Sequence, residues 1–290
     1  MLDMLWATWR FASEGKLVLI DTYSTTNFWY AVWVARICRW RSCDYIPYLH
    51  GGRLPDRLRS NPKAAQRLFG KAMVNISPSA YLLQQFKEAG YQNVDLIPNY
   101  IDLQDYNFRP PTSINPRLFW VRSFAEIYNP LLGLMVLEAL LKQYPEAELC
   151  MVGPDKDGSL ARCKDYARER QLPVRFTGKL EKTQWVELSR GYDVFINTTH
   201  FDNTPVSVIE AMALGMAVVS TDVGGMPYLL ESGKEGLLVP DGDVEAMCSA
   251  IVEILEVPEK TLNMVHSARK RVEAYDWKVV KGQWSSLLLE

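Results

Sequence analysis

The fold of this chain is indicated most clearly by the stretch Asn197-Thr-Thr-His-Phe-Asp-Asn-Thr-Pro-Val-Ser-Val-Ile-Glu-Ala-Met-Ala-Leu-Gly215. Residues 194–197 form an apolar run that predicts a buried strand. After a short polar loop, the sequence predicts a helix from Thr204, with Pro205 at its first position and Gly215 beyond its end. A strand that passes through a loop into a helix is one unit of an alternating α/β architecture.

The same alternation continues in both directions along the chain. Further apolar runs predict strands at residues 16–21, 44–50, 72–77, 94–98, 118–121, 148–152, 174–177, 217–220 and 237–239. Helical segments are predicted at residues 27–40 and 79–90, and from residues 129, 159 and 182 onward. The fold class is therefore α/β, with parallel sheets covered by helices on both faces. Ligands of such sheets bind beyond the carboxyl ends of the strands.

The chain length of 290 residues predicts two domains. Residues 107–116 contain three prolines and no periodic pattern, which favours a linker there. We expect a first domain at residues 1–108 and a second at residues 109–276. A C-terminal helix at residues 277–290 is expected to pack back onto the first domain.

Composition excludes several classes of protein. The net charge of -2 argues against nucleic acid as a partner, because phosphate-backbone attraction needs a basic surface. The five cysteines include no C-x-x-C pair, which argues against a disulfide framework or a zinc site and favours a reducing compartment. The sequence has no apolar run of eighteen residues and no secretory leader pattern. We expect a cytoplasmic protein, with association at the cytoplasmic membrane face as a further hypothesis.

Residues 1–75 differ from the rest of the chain in charge. They contain 11 basic and five acidic residues, a net charge of +6, together with five of the nine tryptophans. These tryptophans are Trp6, Trp9, Trp29, Trp33 and Trp40. One interpretation is a peripheral contact with an anionic membrane. The other is that Trp29, Trp33 and Trp40 pack into a core while the arginines are solvated.

The loop and helix at residues 197–215 carry the clearest chemical signal. Free N–H groups and the positive dipole end at the predicted helix start could bind a diphosphate. Glu210 could accept hydrogen bonds from a ribose diol, and Asp202 could reach a sugar hydroxyl. The alternative is that Asp202 or Thr204 is only a helix cap and that Glu210 only stabilises the helix dipole.

Several motifs in order support the first alternative. They are Phe176-Thr-Gly-Lys-Leu180, Asp202 to Gly215, Val218-Val-Ser-Thr-Asp-Val-Gly-Gly225 and Gly236-Leu-Leu-Val-Pro240. Weaker similarities upstream are Met151-Val-Gly153, Arg122, Ile97-Pro-Asn-Tyr-Ile-Asp102, Ile76-Ser-Pro-Ser79 and Tyr48-Leu-His-Gly51. With these motifs the chain resembles the retaining GT-B glycosyltransferases of family 4, most clearly over residues 174–243. The resemblance implies two facing Rossmann-like domains with parallel sheets, the N-terminal one binding the acceptor and the C-terminal one the nucleotide-sugar.

The resemblance also implies roles for individual residues. The implied catalytic residues are His50, Arg122 and Asp202, of which His50 would lie near the transferred sugar and Arg122 would face the diphosphate. The implied donor-binding residues are Gly153, Lys179, Leu180, Asn203, Thr204, Val206 and Glu210. No metal or cofactor is implied beyond the nucleotide-diphosphate sugar itself.

The sequence departs from the family pattern in three places. Asp202 stands where a Glu usually begins the E-x7-E motif, although the spacing to Glu210 is kept. The segment after Arg122 up to Asn129 contains no lysine, so helix N-termini or another cation such as Lys179 would have to help neutralise the diphosphate. The glycine-rich opening of the first domain is missing, so this domain is reduced.

The predicted activity is transfer of a hexose, with retention, from a nucleotide-diphosphate sugar to a hydroxyl of a glycan or lipid-linked acceptor. Two alternatives stay open. The first is a non-catalytic protein that binds a nucleotide-sugar or another transferase, favoured by the absent lysine and the reduced first domain. The second is a GT-B epimerase that acts on the nucleotide-sugar itself.

Overall fold

The computed structural model describes residues 2–289. Contacts divide the chain into two units, Met1–Asn99 and Tyr100–Glu290. Each unit contains one sheet in which every strand pairs in parallel with its neighbours. The prediction of two α/β domains with parallel sheets is therefore confirmed.

The first unit has a four-stranded sheet. Its strands are β1 (Leu17–Thr22), β2 (Asp44–Leu49), β3 (Asn75–Ser77) and β4 (Val94–Leu96), in the order β1-β2-β3-β4. Its helices are α1 (Leu2–Phe11), α2 (Asn27–Trp40), α3 (Leu54–Ser60), α4 (Pro62–Leu68) and α5 (Ala80–Glu88). Buried residues of α2, α4 and α5 pack with those of the sheet in one core that includes Phe28, Phe69 and Phe86.

The second unit has a six-stranded sheet in the order β7-β6-β5-β8-β9-β10. Its strands are β5 (Arg117–Val121), β6 (Glu148–Val152), β7 (Val174–Gly178), β8 (Val194–Asn197), β9 (Ala217–Thr221) and β10 (Leu237–Val239). Its helices are α6 (Pro130–Leu140), α7 (Ser159–Glu169), α8 (Lys182–Ser189), α9 (Val206–Leu214), α10 (Met226–Leu229), α11 (Val244–Glu256), α12 (Pro258–Val272) and α13 (Trp277–Leu289). Short 3-10 turns lie at Leu103–Asp105, Glu126–Tyr128 and Glu273–Tyr275. Buried apolar residues form one cluster with α6 and α11 and another with α9 and α12.

Local sequence signals explain where several helices begin and end. The Ser79 side chain accepts a hydrogen bond from the backbone N–H of Leu82 and so caps α5, as the sequence predicts. Gly215 adopts a φ of 92° after α9, a conformation that favours glycine. Helix α9 itself begins at Val206, with Pro205 in an extended conformation before it. The predicted start, with Pro205 as the first helical residue, is one residue too early, because the ψ of Pro205 is 114° and therefore not helical.

The division between the units comes earlier than the predicted linker. Ile101 pairs with Asp276, and the hydroxyl of Tyr106 donates a hydrogen bond to Glu210, so the segment after Asn99 is held by the second unit. The proline-rich residues 107–116 lie within that unit. Helix α13 is also assigned to it, and the backbone N–H of Trp277 donates to the Ile101 carbonyl.

The tryptophans of the first unit do not pack as a core face. Trp29, Trp33 and Trp40 of α2 are all exposed, so the interpretation that they pack into a core is wrong. The apolar run of β1 is also not buried on both faces, because exposed and buried residues alternate along it and Leu19 is half exposed.

Candidate functional site

The strand order of the second unit creates a switch point between β5 and β8. From β5 the chain continues to β6 and β7 on one side, and from β8 it continues to β9 and β10 on the other. The loops that leave β5 and β8 therefore diverge and open a crevice at the carboxyl ends of these strands. Arg122 follows β5 directly, and Asp202 lies in the loop after β8.

Arg122 and Asp202 form an ion pair at this switch point. Both side chains are largely buried, with exposed fractions of 18% and 15%. The guanidinium carbon of Arg122 also lies 4.4 Å from the ring centre of Tyr128, which adds a cation–π contact. Burial lowers the pKa of Arg122, while Tyr128 and the negative charge of Glu210 raise it. The buried Nε of Arg122 has no hydrogen-bond partner among residues 2–289.

Two glycines fix the loop that carries Asp202. The backbone N–H of Gly225 donates to the Asp202 carbonyl over 2.9 Å. A Cβ on Gly225 would overlap the Asn203 carbonyl oxygen, and one on Gly224 would overlap that of Asp202. The Val-Gly-Gly225 motif is therefore needed for close backbone packing beneath the site.

Glu210 lies one turn into α9 and is almost completely buried. Its Oε1 accepts a hydrogen bond of 2.6 Å from the Tyr106 hydroxyl and lies 2.8 Å from the Nζ of Lys182. Burial first, and the nearby Glu210 charge second, raise the pKa of Tyr106, so this hydroxyl stays a donor. The Glu210 carboxylate is thus contacted on one side by a neutral donor and on the other by a cation.

A cavity of about 240 Å³ opens beside Arg122, at the carboxyl ends of β5, β6 and β7. Its lining residues are Val121, Arg122, Ser123, Tyr128, Val152, Gly153, Pro154, Lys179, Leu180 and Trp185. Gly153 has a φ of 151°, and a Cβ there would overlap the Arg122 carbonyl oxygen. Only glycine therefore lets the loop after β6 approach the loop after β5 this closely.

The start of α9 contributes further polar groups. Asn203 and Thr204 are buried in the loop before the helix, and Val206 is its first residue. The hydroxyl of Ser207 is buried without a hydrogen-bond partner among the described residues. An N-terminus with unsatisfied donors attracts anions, because the helix dipole is positive there.

His50 directly follows β2 in the first unit. Its Nε2 lies 3.0 Å from Asp21 Oδ1, and its ring contacts those of Tyr23 and Tyr48 at 5.4 Å and 4.1 Å. An ionised carboxylate only accepts hydrogen bonds, so Nε2 carries the proton. In the neutral ring, Nδ1 is then the acceptor.

The structure brings together six of the predicted site residues. Asp202 pairs with Arg122, which shares its cavity with Gly153, Lys179 and Leu180. Glu210 lies close enough to influence the pKa of Arg122.

Sequence reasoning missed five residues of these sites. They are Asp21, Tyr106, Tyr128, Lys182 and Ser207. The Nδ1 of His200 lies 2.9 Å from the carboxylate oxygens of Asp241. The position of Asp21 at the end of β1, beside the strand that leads to His50, is the signal that could have identified it.

Residues 115–257 match the model of a family described as glycosyl transferases group 1. The match covers just under half of the chain and lies within the second unit. The predicted resemblance to the GT-B glycosyltransferases of family 4 is confirmed.

Two proteins similar to this chain have named activities. A phosphatidyl-myo-inositol mannosyltransferase of Mycolicibacterium smegmatis is 30% identical over 194 residues, which cover 64% of this chain and 49% of the relative. The sulfoquinovosyl transferase SQD2 of Arabidopsis thaliana is 31% identical over 157 residues, covering 50% of this chain and 28% of the relative. The chain thus spans about half the length of the first relative and a smaller part of the second.

Solved structures share the fold over nearly the whole chain. Anabaena HepE in complex with UDP and glucose has a TM-score of 0.83 at 18% identity, covering 100% of this chain and 80% of that one. A sucrose-phosphate synthase from Thermosynechococcus elongatus has a TM-score of 0.77 at 21% identity, covering 93% and 72%. These structural similarities show that the chain has the GT-B fold.

Two further features are absent from the part of the chain that the structure describes. No helix within residues 2–289 is both long and apolar enough to cross a membrane. In the same part of the chain, no cluster of three or more His, Cys, Asp or Glu side chains has the arrangement of a metal site.

Proposed function

We propose that this chain transfers a hexose from a nucleotide-diphosphate sugar to an acceptor hydroxyl, with retention of the anomeric configuration. The observation that carries the proposal is Arg122, a buried cation at the switch point that pairs with Asp202 and keeps one N–H unpartnered. A phosphate oxygen would satisfy that N–H, because the planar guanidinium binds phosphate through parallel N–H···O hydrogen bonds.

The donor is proposed to lie across the switch point. Its ribose would bind the buried carboxylate of Glu210, since an ionised carboxylate can accept two hydrogen bonds from a diol. Its diphosphate would lie between Arg122 and the start of α9, where the hydroxyl of Ser207 offers a further donor. Lys182, which contacts Glu210, is proposed as the second cation in place of the absent family lysine.

The reaction would be driven by charge stabilisation. The anomeric C–O bond breaks, its electron pair stays on the leaving diphosphate oxygen, and the sugar becomes oxocarbenium-like. The acceptor hydroxyl attacks the same face, and its proton passes to the departing phosphate. Arg122 stabilises the charge that develops on the leaving group, a contribution typically worth a hundredfold or more in rate.

Asp202 is proposed to change partner during the cycle. Without donor it neutralises Arg122, so the buried guanidinium costs less to keep in place. When the diphosphate binds Arg122, the carboxylate of Asp202 is free to accept a hydrogen bond from a sugar hydroxyl. His50, with Nδ1 as its acceptor, is proposed to bind another hydroxyl of the transferred sugar.

The acceptor is proposed to be a glycan or a lipid-linked molecule bound by the first unit. The name of the Mycolicibacterium relative gives a phospholipid, phosphatidyl-myo-inositol, and supports the lipid-linked choice. A cytoplasmic location and metal-independent transfer stay predictions, the second of which a chelator tests directly: transfer should continue in its presence.

The test is calorimetry with a panel of nucleotide-diphosphate sugars, followed by product analysis. We expect one donor to bind the wild type and to bind Glu210→Gln about 10- to 100-fold more weakly, because hydrogen bonds to a charged group contribute about 1.5–3 kcal/mol. Transfer with retained configuration supports the proposal. Binding without turnover on any acceptor would favour the non-catalytic alternative, epimerised donor would identify an epimerase, and no binding across the panel would overturn the proposal.

A further inference from the structure

The first unit exposes five tryptophans on two helices, and we name Trp6, Trp9, Trp29, Trp33 and Trp40 the tryptophan face. Trp40 is 70% exposed and Trp6 58% exposed. Tryptophan is a large apolar side chain that is usually at least partly buried in a folded protein. Such an exposed group of apolar side chains indicates a binding surface.

These side chains lie on a continuous surface. On α2, the residues Trp29, Trp33, Arg36 and Trp40 follow one another at intervals of three or four and so lie on one side of the helix. The rings of Trp9 on α1 and Trp40 on α2 stack with centres 4.1 Å apart. This contact joins the two helices into one surface.

Arginines are placed directly against the exposed rings. Arg36 lies 5.3 Å from the Trp33 ring centre, Arg10 lies 5.2 Å from that of Trp6, and Arg41 lies 5.4 Å from that of Trp9. All three arginines are exposed. Among the ion pairs of the described residues, none involves these three guanidinium groups, so their charges are not neutralised by a neighbouring carboxylate.

A groove continues this surface beside α2. It has a volume of about 460 Å³, and Trp29, Trp33, Arg36, Arg39 and Arg67 are among its lining residues. An apolar floor flanked by guanidinium groups suits a molecule with an anionic head and an apolar body. The net charge of residues 1–75 is also positive, with 11 basic against five acidic residues.

We infer that the tryptophan face binds the surface of an anionic lipid bilayer. Indole rings favour the interface between head groups and acyl chains, and arginines beside them pair with lipid phosphates. A second copy of the chain is less well matched, because two such faces would bring their unpaired arginines together and like charges oppose association. The inference does not depend on the proposed transfer reaction, since donor binding in the second unit can be measured without lipid.

The experiment is flotation of the full chain with vesicles of phosphatidylcholine, alone or with about one third phosphatidylglycerol. We expect flotation only with the anionic vesicles, strong at low salt and weaker but not abolished at high salt, because screening removes the electrostatic part. Replacing Arg36 or Arg41 by Gln should weaken binding at low salt by about fivefold each, the equivalent of about 1 kcal/mol per basic residue. The double variant Trp33→Ala/Trp40→Ala should lose the salt-resistant part.

Matched controls come from the second unit. Arg168→Gln removes an exposed arginine, and Met135→Ala removes an exposed apolar side chain. Both should float like the wild type, and calorimetric donor binding should be the same in every variant. The inference is overturned if the chain stays out of the vesicle fraction under every condition, or if the controls reduce flotation as much as the changes on the tryptophan face. It is also overturned if Trp33→Ala/Trp40→Ala instead converts a dimer into a monomer, since a second copy would then cover the face.

Discussion

The Nζ of Lys182 lies 2.8 Å from the Oε1 of Glu210, an oxygen that also accepts the Tyr106 hydroxyl. Glu210 is buried, whereas the side chain of Lys182 is 54% exposed. The lysine therefore closes the solvent side of a carboxylate that is otherwise enclosed by protein. A ligand that reaches Glu210 must take over this oxygen or share it with Lys182.

Lys182→Ala should weaken donor binding by about tenfold, because one charge-assisted contact to the diphosphate is lost. Calorimetry with the donor that binds the wild type measures the effect. Lys164→Ala, an exposed lysine on α7, is the matched control and should bind normally. Tighter binding to Lys182→Ala would mean that the lysine only blocks Glu210, and the proposal of a second cation would be withdrawn.

Arg122→Ala should lower turnover by roughly 100-fold or more, since it removes a preorganised charge aimed at the leaving group. Arg122→Lys should recover only part of this loss, because an ammonium cannot make the planar two-point contact of a guanidinium. Initial rates at saturating donor measure both effects. Asp202→Ala is informative alongside them, because it leaves Arg122 without its partner. Turnover of the wild-type size in Arg122→Ala would assign the stabilisation of the diphosphate to other groups.

Asp21 is expected to act through His50. Asp21→Ala removes the acceptor that keeps the proton on Nε2 and should lower turnover by about tenfold, whereas His50→Ala should lower it by about 10- to 100-fold. The double variant should be no slower than His50→Ala alone, because residues in one hydrogen-bonded pair are not additive. Asp44→Ala, an exposed carboxylate on β2, is the control. Additive losses in the double variant would show that Asp21 and His50 act independently.

Most of the fold follows from local patterns of the sequence. The run at residues 194–197 is β8 residue for residue, and 27–40 is α2, because a buried strand and a helix with apolar spacing each leave a distinct period. The position of the site at the switch point could also be predicted from the sequence, because ligands of parallel sheets bind at the carboxyl ends of the strands.

What the sequence could not provide is pairing over long separations. Tyr106 reaches Glu210 across 104 positions, and Arg269 donates to the Tyr106 carbonyl over 3.2 Å, so the segment after Asn99 belongs to the second unit. A linker prediction reads only the prolines nearby. The exposure of the tryptophans was likewise undecided, because they are apolar like Phe28, Val34 and the other residues of the buried face of α2, although they lie outside that face.

Gly225→Ala should disturb the site without contacting any donor. The added Cβ would overlap the Asn203 carbonyl oxygen, so the loop at residues 202–203 must move and the Arg122–Asp202 pair must shift with it. We expect donor binding to weaken by at least tenfold, because ångström-scale misplacement is enough to lose such contacts. Gly282→Ala in α13 meets no atom within 4 Å and should bind donor normally while stabilising the helix by up to about 1 kcal/mol. Equal donor affinity in both variants would show that the glycine is not needed to place the loop.

The free energy of unfolding should fall at alkaline pH because of a buried thiol. Burial raises the pKa of the Cys163 thiol from 9.0 to about 12. Above pH 9 the unfolded chain therefore releases this proton while the folded chain keeps it, so stability falls as the pH rises from 9 towards 12. For one such thiol the free energy of unfolding should fall by about 1.4 kcal/mol per pH unit in that window. Cys163→Ala and Cys163→Ser remove the titrating group, and both should make the decline shallower by this amount, although the cavity or the hydroxyl makes them differ in absolute stability. Denaturant unfolding at a series of alkaline pH values measures the slopes. A slope unchanged from the wild type in both variants would mean that the thiol titrates alike in the folded and unfolded chain, contrary to its burial against the core of α6 and α7.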